Sequence, residues 1–104
     1  MSEIELGEII ATRNLELIES DGTTSVVVVE IGTPRHFPDS TDYLTPYKIT
    51  GGGKEKVCYA GGVDSVQSIQ LVMRMIKAEL NELRSRVSGD LRWVGDDEGG
   101  LGFD

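Results

Sequence analysis

One long amphipathic segment, which follows a series of short strand-like segments, constrains this chain most strongly. After Asp64 the apolar residues recur at intervals of three and four, a strict heptad pattern that predicts a helix with one apolar stripe. Asp64 and Gln67 have the spacing of a helix N-cap and the N3 position, and Gly89 ends the helix. The apolar positions are Val66, Ile69, Met73, Ile76, Leu80, Leu83 and Val87.

Two strands before the helix form a predicted hairpin. Residues 8–18 alternate apolar and polar side chains, which is the period of a half-buried strand, although Arg13 lies on the apolar face. Asp21-Gly22 predicts a tight turn, because glycine adopts positive φ without strain. Residues 24–31 are apolar on both faces, which predicts a central strand that is buried on both sides.

The remaining segments complete the predicted sheet. Residues 32–42 have no period and are predicted as a loop. Residues 43–50 form a third strand, which Pro46 places at an edge or a bulge, and residues 54–60 form a fourth. Residues 91–94 are either a short fifth strand or an apolar clasp. The sequence thus predicts an α+β fold, with a four- or five-stranded, mainly antiparallel sheet in the order β-β-β-β-α-(β) and one long C-terminal helix packed on one face.

Length and charge limit the architecture and the partners. The 104 residues fit one domain, with a core over residues 8–94 and a glycine-rich acidic tail over residues 95–104. The formal net charge of -8 is concentrated at the two ends, since residues 1–22 carry -5 and residues 89–104 carry -4. Carboxylates repel phosphate, so neither nucleic acid nor an anionic membrane is an expected partner.

The residue types exclude several kinds of chemistry. Cys58 has no second cysteine within the chain for a disulfide, and His36 and Cys58 alone cannot supply the ligands of a usual zinc site. We therefore expect no metal and no cofactor, and we assign no catalytic residue. Apolar runs such as Val26–Val29 are far shorter than the roughly 20 residues of a membrane span. The acidic start of the chain is unlike a signal peptide, so we expect a cytoplasmic protein.

Five side chains are candidates for a ligand pocket between the 32–42 loop and the sheet. Arginine binds carboxylate or phosphate in a bidentate manner, and tyrosine adds a donor over an apolar floor. A His–Asp pair in the loop has the residue types of a general base, but no nucleophile accompanies it. The alternative is that Arg13 either extends its charged end to solvent or marks a bulge, and that the tyrosines pack with their hydroxyls in water. The pocket candidates are Arg13, Arg35, His36, Tyr43 and Tyr47.

Several short motifs resemble those of a domain-of-unknown-function family of small bacterial proteins. The resemblance covers most of residues 8–104 and implies a bacterial origin and a single domain. It transfers no catalytic residue, and the chain departs from the family's usual Gly-Phe-Pro ending at Asp104. The motifs are Ile31-Gly-x-Pro-Arg-x-x-Pro, Tyr43-x-x-Pro-Tyr-x-Ile-Thr-Gly, Tyr59-Ala-Gly-Gly-Val-Asp-Ser-Val-Gln-Ser-Ile-Gln-Leu, Leu91-x-Trp-x-Gly and Leu101-Gly-Phe.

The length of the predicted helix leaves two arrangements open. A helix of about 36 Å is longer than the roughly 20–25 Å of the strands that it covers. In one arrangement the whole apolar stripe covers the sheet. In the other, Leu80, Leu83 and Val87 project past the sheet and form an interface with a second copy or another partner.

Three hypotheses for the function follow. The leading one is a small cytosolic protein-binding or inhibitor module of the immunity or anti-defence kind, which binds a basic protein partner through an acidic surface. Asp96, Asp97 and Glu98 are its candidate docking residues. The second is a small-ligand-binding or enzymatic domain that uses the pocket candidates. The third is a structural homodimer formed through the overlong helix.

Overall fold

Pairing of the alternating segments produces one antiparallel sheet with a helix on one face, which confirms the α+β prediction. The computed structural model describes residues 4–103. Its elements are β1 (Ile9–Ile18), β2 (Thr24–Gly32), β3 (Arg35–His36), β4 (Tyr43–Thr50), β5 (Val57–Gly62), α1 (Ser65–Arg86) and β6 (Asp90–Arg92). In the 6-stranded sheet β6, β1, β2 and β4 are neighbours in that order, and β4 also pairs with β3 and β5.

The predicted hairpin joins β1 to β2, but through a longer loop than an Asp-Gly turn. The loop, residues 19–23, is closed by a backbone hydrogen bond from Glu19 to Thr23 of 2.8 Å. The Asp21 carboxylate accepts hydrogen bonds from the Thr23 hydroxyl at 2.6 Å and from the Thr23 amide at 2.9 Å. These bonds lower the pKa of Asp21, and they organise the loop without a two-residue turn.

The second strand is central, as predicted, but it is buried on one face only. Val27, Val29 and Ile31 face α1 and the C-terminal segment and are at most 6% exposed. Val26, on the other face, is 55% exposed. The prediction of burial on both sides is wrong, because a single helix covers one face of the sheet and no described element covers the other over Val26.

Pro46 lies in an interior strand and not at a sheet edge. On one side residues 43–48 of β4 pair with β5, and Pro46 is opposite Tyr59. On the other side the ladder is interrupted, because β3 pairs with residues 43–44 and β2 pairs with residues 47–50. Proline cannot donate to a ladder, so this interruption accommodates it.

The shorter elements refine the prediction in three places. The predicted loop contains β3, which pairs with the start of β4. The fourth strand begins at Val57, because Lys54 instead closes a turn through two 3.0 Å backbone hydrogen bonds with Gly51. Residues 91–94 are predicted as either a short strand or an apolar clasp. A strand is present there, since β6 pairs with residues 16–18 of β1.

The ends of α1 agree with the sequence signals. The Asp64 carboxylate accepts a 2.7 Å hydrogen bond from the Gln67 amide, and the Gln67 side chain accepts one of 2.8 Å from the Val63 amide. The helix ends at Arg86, and the Val87 amide donates to the Leu83 carbonyl. The N-cap prediction is therefore confirmed.

The buried stripe of α1 differs from the predicted heptad. Val66 and Met73 belong to the heptad but are 62% and 37% exposed. Of the two arrangements left open for the helix, the one in which Leu80, Leu83 and Val87 project past the sheet is not found, because both leucines are 0% exposed and Val87 packs partly buried against the same core. Neither leucine is available on the surface of the monomer for a second copy. The buried residues of the helix are Ser68, Val72, Ile76, Leu80 and Leu83.

The C-terminal segment covers the part of the sheet that α1 leaves open. Leu91, Leu101 and Phe103 belong to the same hydrophobic core as the leucines of the helix, and each is at most 6% exposed. The core therefore extends beyond residue 94 into the segment that the sequence predicts as a tail. Within residues 4–103 no helix is both long enough and apolar enough to cross a membrane.

Candidate functional site

The five predicted pocket residues do not come together in one site. Arg35 and His36 lie on β3, and the His36 ring contacts the Tyr43 ring at a centroid distance of 4.1 Å. The Arg35 guanidinium donates to the Glu5 carbonyl at 2.7 Å, which ties the first described residues to β3. Arg13 lines a cavity that none of the other four candidates reaches.

Tyr47 is a buried link between the sheet and the helix. It is 1% exposed, and its hydroxyl donates a short hydrogen bond to the Glu79 carboxylate of α1. The Lys54 ammonium lies 3.4 Å from Glu79 and 3.8 Å from Glu82. Burial, and then the hydrogen bond to Glu79 and its negative charge, raise the pKa of Tyr47 well above its ordinary value. This arrangement holds α1 on β4, and Tyr47 is not among the residues that line the two cavities beside Phe103.

In alkali the free energy of unfolding of the natural chain is expected to fall as the pH rises, and a Tyr47→Phe variant is expected to lose this part of the pH dependence. The unfolded chain releases the phenolic proton near its ordinary pKa of about 10, whereas the folded chain retains it because its pKa is raised. The contribution of the protonated Tyr47 hydroxyl to the free energy of unfolding is therefore fully present below about pH 10. Above that pH the contribution declines, by up to about 1.4 kcal/mol per pH unit. Urea unfolding at about pH 8 and about pH 11 measures this difference between the variant and the natural chain.

The matched control for this prediction is Tyr59→Phe, which makes the same chemical change at a tyrosine that is 44% exposed. It is expected to keep the alkaline pH dependence of the natural chain. An equal loss of pH dependence in both variants would show that the buried hydroxyl of Tyr47 is not its source.

Arg13, which breaks the apolar pattern of the first strand, holds the C-terminal segment against the sheet. Its guanidinium carbon lies 3.7 Å from the centroid of the Trp93 ring and 4.9 Å from that of Phe103. Nη1 donates to the Leu101 carbonyl at 3.2 Å and to the Gly102 carbonyl at 2.9 Å. The charge on the apolar face is thus stacked on aromatic rings and bonded to backbone carbonyls.

Arg84 binds the same segment from the helix. Its Nη2 donates to the Leu91 carbonyl at 2.8 Å and to the Gly99 carbonyl at 2.6 Å. Its Nε lies 3.8 Å from the Asp90 carboxylate without a hydrogen bond. We call the assembly of two arginines and the segment that they hold the C-terminal clasp, and its residues are Arg13, Arg84, Trp93, Leu101, Gly102 and Phe103.

Gly102 is required by the geometry of the C-terminal clasp. Its φ is +81°, in the left-handed region that side chains disfavour. A Cβ atom at this position would lie 2.2 Å from Arg13 Nη1 and 2.5 Å from Trp93 Cζ3. The absence of a side chain thus lets the backbone approach the stacked arginine closely.

Two cavities of about 110 Å³ each lie on either side of Gly102 and Phe103. We call the first the Arg13 cavity. It lies over β1 and β2 and is lined mainly by Ala11, Arg13, Val29, Ile31, Met73 and Phe103. The second lies along α1 and is lined mainly by Lys77, Asn81, Arg84, Gly100, Leu101 and Phe103.

A family model described as a domain of unknown function, DUF6968, matches residues 11–104. The chain belongs to this family. The predicted membership in a family of unknown function is thereby confirmed, and the DUF6968 region includes every residue of the C-terminal clasp. The chain matches no curated protein and no solved structure.

In this DUF6968 domain the three predicted docking carboxylates lie in the turn that follows Trp93. The Asp96 amide donates to the Trp93 carbonyl at 3.2 Å, and the Asp96 carboxylate accepts from the Glu98 amide at 2.8 Å. Asp97 and Glu98 are exposed. None of the three forms an ion pair with another residue of 4–103.

Residues 4–103 contain no cluster of three or more His, Cys, Asp or Glu side chains with a metal-binding arrangement.

Sequence reasoning missed most of the C-terminal clasp. It singled out Arg13 as an exception on the apolar face and the Leu101-Gly-Phe motif as a resemblance, but it did not connect the two. They are 88 and 89 residues apart along the chain, so local periodicity carries no information about their contact. The available signal was an arginine on an apolar face together with the single tryptophan and isolated apolar anchors in a glycine-rich segment.

Proposed function

We propose that this domain is a protein-binding module that engages a basic protein partner through one acidic end of its sheet. We further propose that the module acts in a bacterial cytoplasm as a small inhibitor of the immunity or anti-defence kind. We call this proposed surface the acidic end, and we define it by the carboxylates of the first hairpin, Glu16, Glu19 and Asp21, and those of the C-terminal segment, Asp90, Asp96, Asp97 and Glu98.

The fold brings carboxylates from distant parts of the sequence to the acidic end. In the β1–β6 ladder Asp90 is opposite Ile18, next to the loop that carries Asp21. A 3.1 Å hydrogen bond between the hydroxyls of Ser88 and Ser20 joins the two segments there. Asp90 and the carboxylates of the 19–23 loop therefore lie close together where β6 meets the end of β1, and Arg92 stands opposite Glu16 in the same ladder.

The observation that carries the proposal is that the two arginines of the C-terminal clasp do not neutralise the acidic residues of the segment that they hold. Arg92, which stands opposite Glu16 in the β1–β6 ladder, forms no ion pair within residues 4–103. Arg13 and Arg84 direct their hydrogen bonds to four backbone carbonyls. Among the carboxylates of residues 4–103, only that of Asp90 lies within 4 Å of Arg84, and it receives no hydrogen bond from it. Carboxylates that are left unpaired on one surface attract a cationic partner and orient it during encounter.

The triple variant D96N/D97N/E98Q is expected to slow association with the partner by roughly tenfold and to flatten its dependence on salt. The dissociation rate is expected to change less, because exposed charges act mainly on encounter. The partner is defined as a protein retained from the native cell extract by the immobilised domain at low salt. Its association rate is then measured by surface plasmon resonance at several ionic strengths.

The matched control removes the same number of charges elsewhere, as E5Q/E8Q/E55Q. These carboxylates lie outside the acidic end, and no hydrogen bond or ion pair to their side chains is found within residues 4–103. The control is expected to retain the partner and most of the association rate. Equal slowing by both triple variants, or a rate that is independent of salt, would contradict the proposal.

A further inference from the structure

The Arg13 cavity combines an apolar floor with one positive charge. Val29 and Ile31 are core residues of β2, and Phe103 is a core residue of the C-terminal segment. The exposed side chains of Ala11 and Met73 stand at its rim, so the cavity opens to solvent. Such a lining favours an apolar group of a ligand, and the flexible methionine can adapt to its shape.

Arg13 is held in position but retains unused donors. Its Nη1 bonds to two carbonyls, and its guanidinium carbon lies 3.7 Å from the centroid of the Trp93 ring and 4.9 Å from that of Phe103. Within residues 4–103, Nε and Nη2 of Arg13 form no hydrogen bond. Together they form the edge of the guanidinium that binds a carboxylate through two parallel hydrogen bonds. Because the side chain is already ordered, binding costs little additional conformational entropy.

We propose that the Arg13 cavity binds a short aliphatic monocarboxylate, with the carboxylate on Arg13 and the alkyl chain over Val29, Ile31 and Phe103. A monoanion is favoured over a phosphate or a dicarboxylate for two reasons. Arg13 is the one charged residue among those that line the cavity, and the chain as a whole carries a net charge of -8, which repels a second negative charge. A cavity of about 110 Å³ is smaller than the roughly 150 Å³ that encloses the six carbons of benzene, so about four carbon atoms fit inside, while the polar end and the adjacent carbon stay at the open mouth.

The test is a methyl NMR titration with sodium hexanoate, with hexanamide as the neutral analogue of the same shape. Hexanoate is expected to bind with a Kd of roughly millimolar order, with saturable shifts of the methyl groups of Ala11, Val29, Ile31 and Met73. Hexanamide is expected to bind at least about tenfold more weakly, because it cannot form the charged bidentate contact.

An Ala11→Leu variant fills the mouth of the cavity and is expected to abolish the shifts. Ala11 is exposed, so the larger side chain does not require the core to repack. The matched control is Ala78→Leu, the same change on the exposed side of α1 away from the cavity, and it is expected to bind hexanoate normally.

Equal affinity for hexanoate and hexanamide, unchanged binding by Ala11→Leu, or the lack of saturable shifts in this titration would each overturn the proposal. None of these results bears on the acidic end, which is tested by its own triple variant.

Discussion

Replacement of Leu83 by alanine is expected to lower the free energy of unfolding by about 2–5 kcal/mol. Leu83 is 0% exposed in the core between the helix and the sheet. Its Cδ1 packs so closely on the loop after β4 that a Cβ atom at Gly52 would lie 2.7 Å from it. Removal of the side chain leaves a cavity that the sheet cannot fill without moving this loop. Urea unfolding followed by circular dichroism measures the loss.

The control for Leu83→Ala is Val66→Ala, which truncates another residue of the predicted heptad. Val66 is 62% exposed, so its truncation is expected to change the stability by at most about 0.5 kcal/mol. Light scattering tests the alternative that Leu83 mediates an interface. A Leu83→Ala chain that keeps its stability but changes from dimer to monomer would contradict its place in the core.

The contrast between Leu83 and Val66 explains how far the helix is predictable. The N-cap and the end of the helix depend on residues within one turn, so Asp64 and Gln67 are sufficient to predict them. The buried face depends on what the helix packs against. Val72 is 0% exposed although it stands outside the heptad, whereas Met73 is in the heptad and is 37% exposed. A heptad in one isolated sequence cannot distinguish these two faces.

The sheet illustrates the same limit. The strands β1, β2 and β4 are long enough for their period to appear in the sequence, and their bounds agree closely with the prediction. A two-residue strand such as β3 has no period, so it could not be predicted. The number of buried faces of β2 could not be predicted either, because Val26 and Val27 are the same residue type and differ only in what lies above them.

The candidate site was less predictable than the fold. Grouping Arg13 with Tyr47 assumed that the first and third predicted strands direct these side chains into one pocket, whereas β2 lies between β1 and β4 in the sheet. The structure instead uses Tyr47 to hold the helix and Arg13 to hold the C-terminal segment. Both are polar side chains on the core side of the sheet, and each has a partner distant in sequence, so no local pattern identifies it.

The substitution Gly102→Ala is expected to release the C-terminal segment and to lower the free energy of unfolding by about 2–4 kcal/mol. The new Cβ would collide with Arg13 Nη1 at 2.2 Å and with Trp93 Cζ3 at 2.5 Å. Leu101 and Phe103 would then lose burial worth roughly 1.5–3 kcal/mol each, which sets an upper limit to the effect. Trp93 is the single tryptophan, so its fluorescence reports the release directly.

Gly99→Ala separates backbone strain from collision in the same segment. Gly99 has a φ of +91°, close to that of Gly102, but a Cβ atom there would meet nothing within 4 Å. Its substitution is therefore expected to cost only about 1 kcal/mol and to leave the fluorescence of Trp93 unchanged. Equal losses in the two variants would mean that positive φ alone explains the effect. A larger loss at Gly102, together with a change in the Trp93 signal, means that close packing on Arg13 holds the C-terminal segment on the sheet.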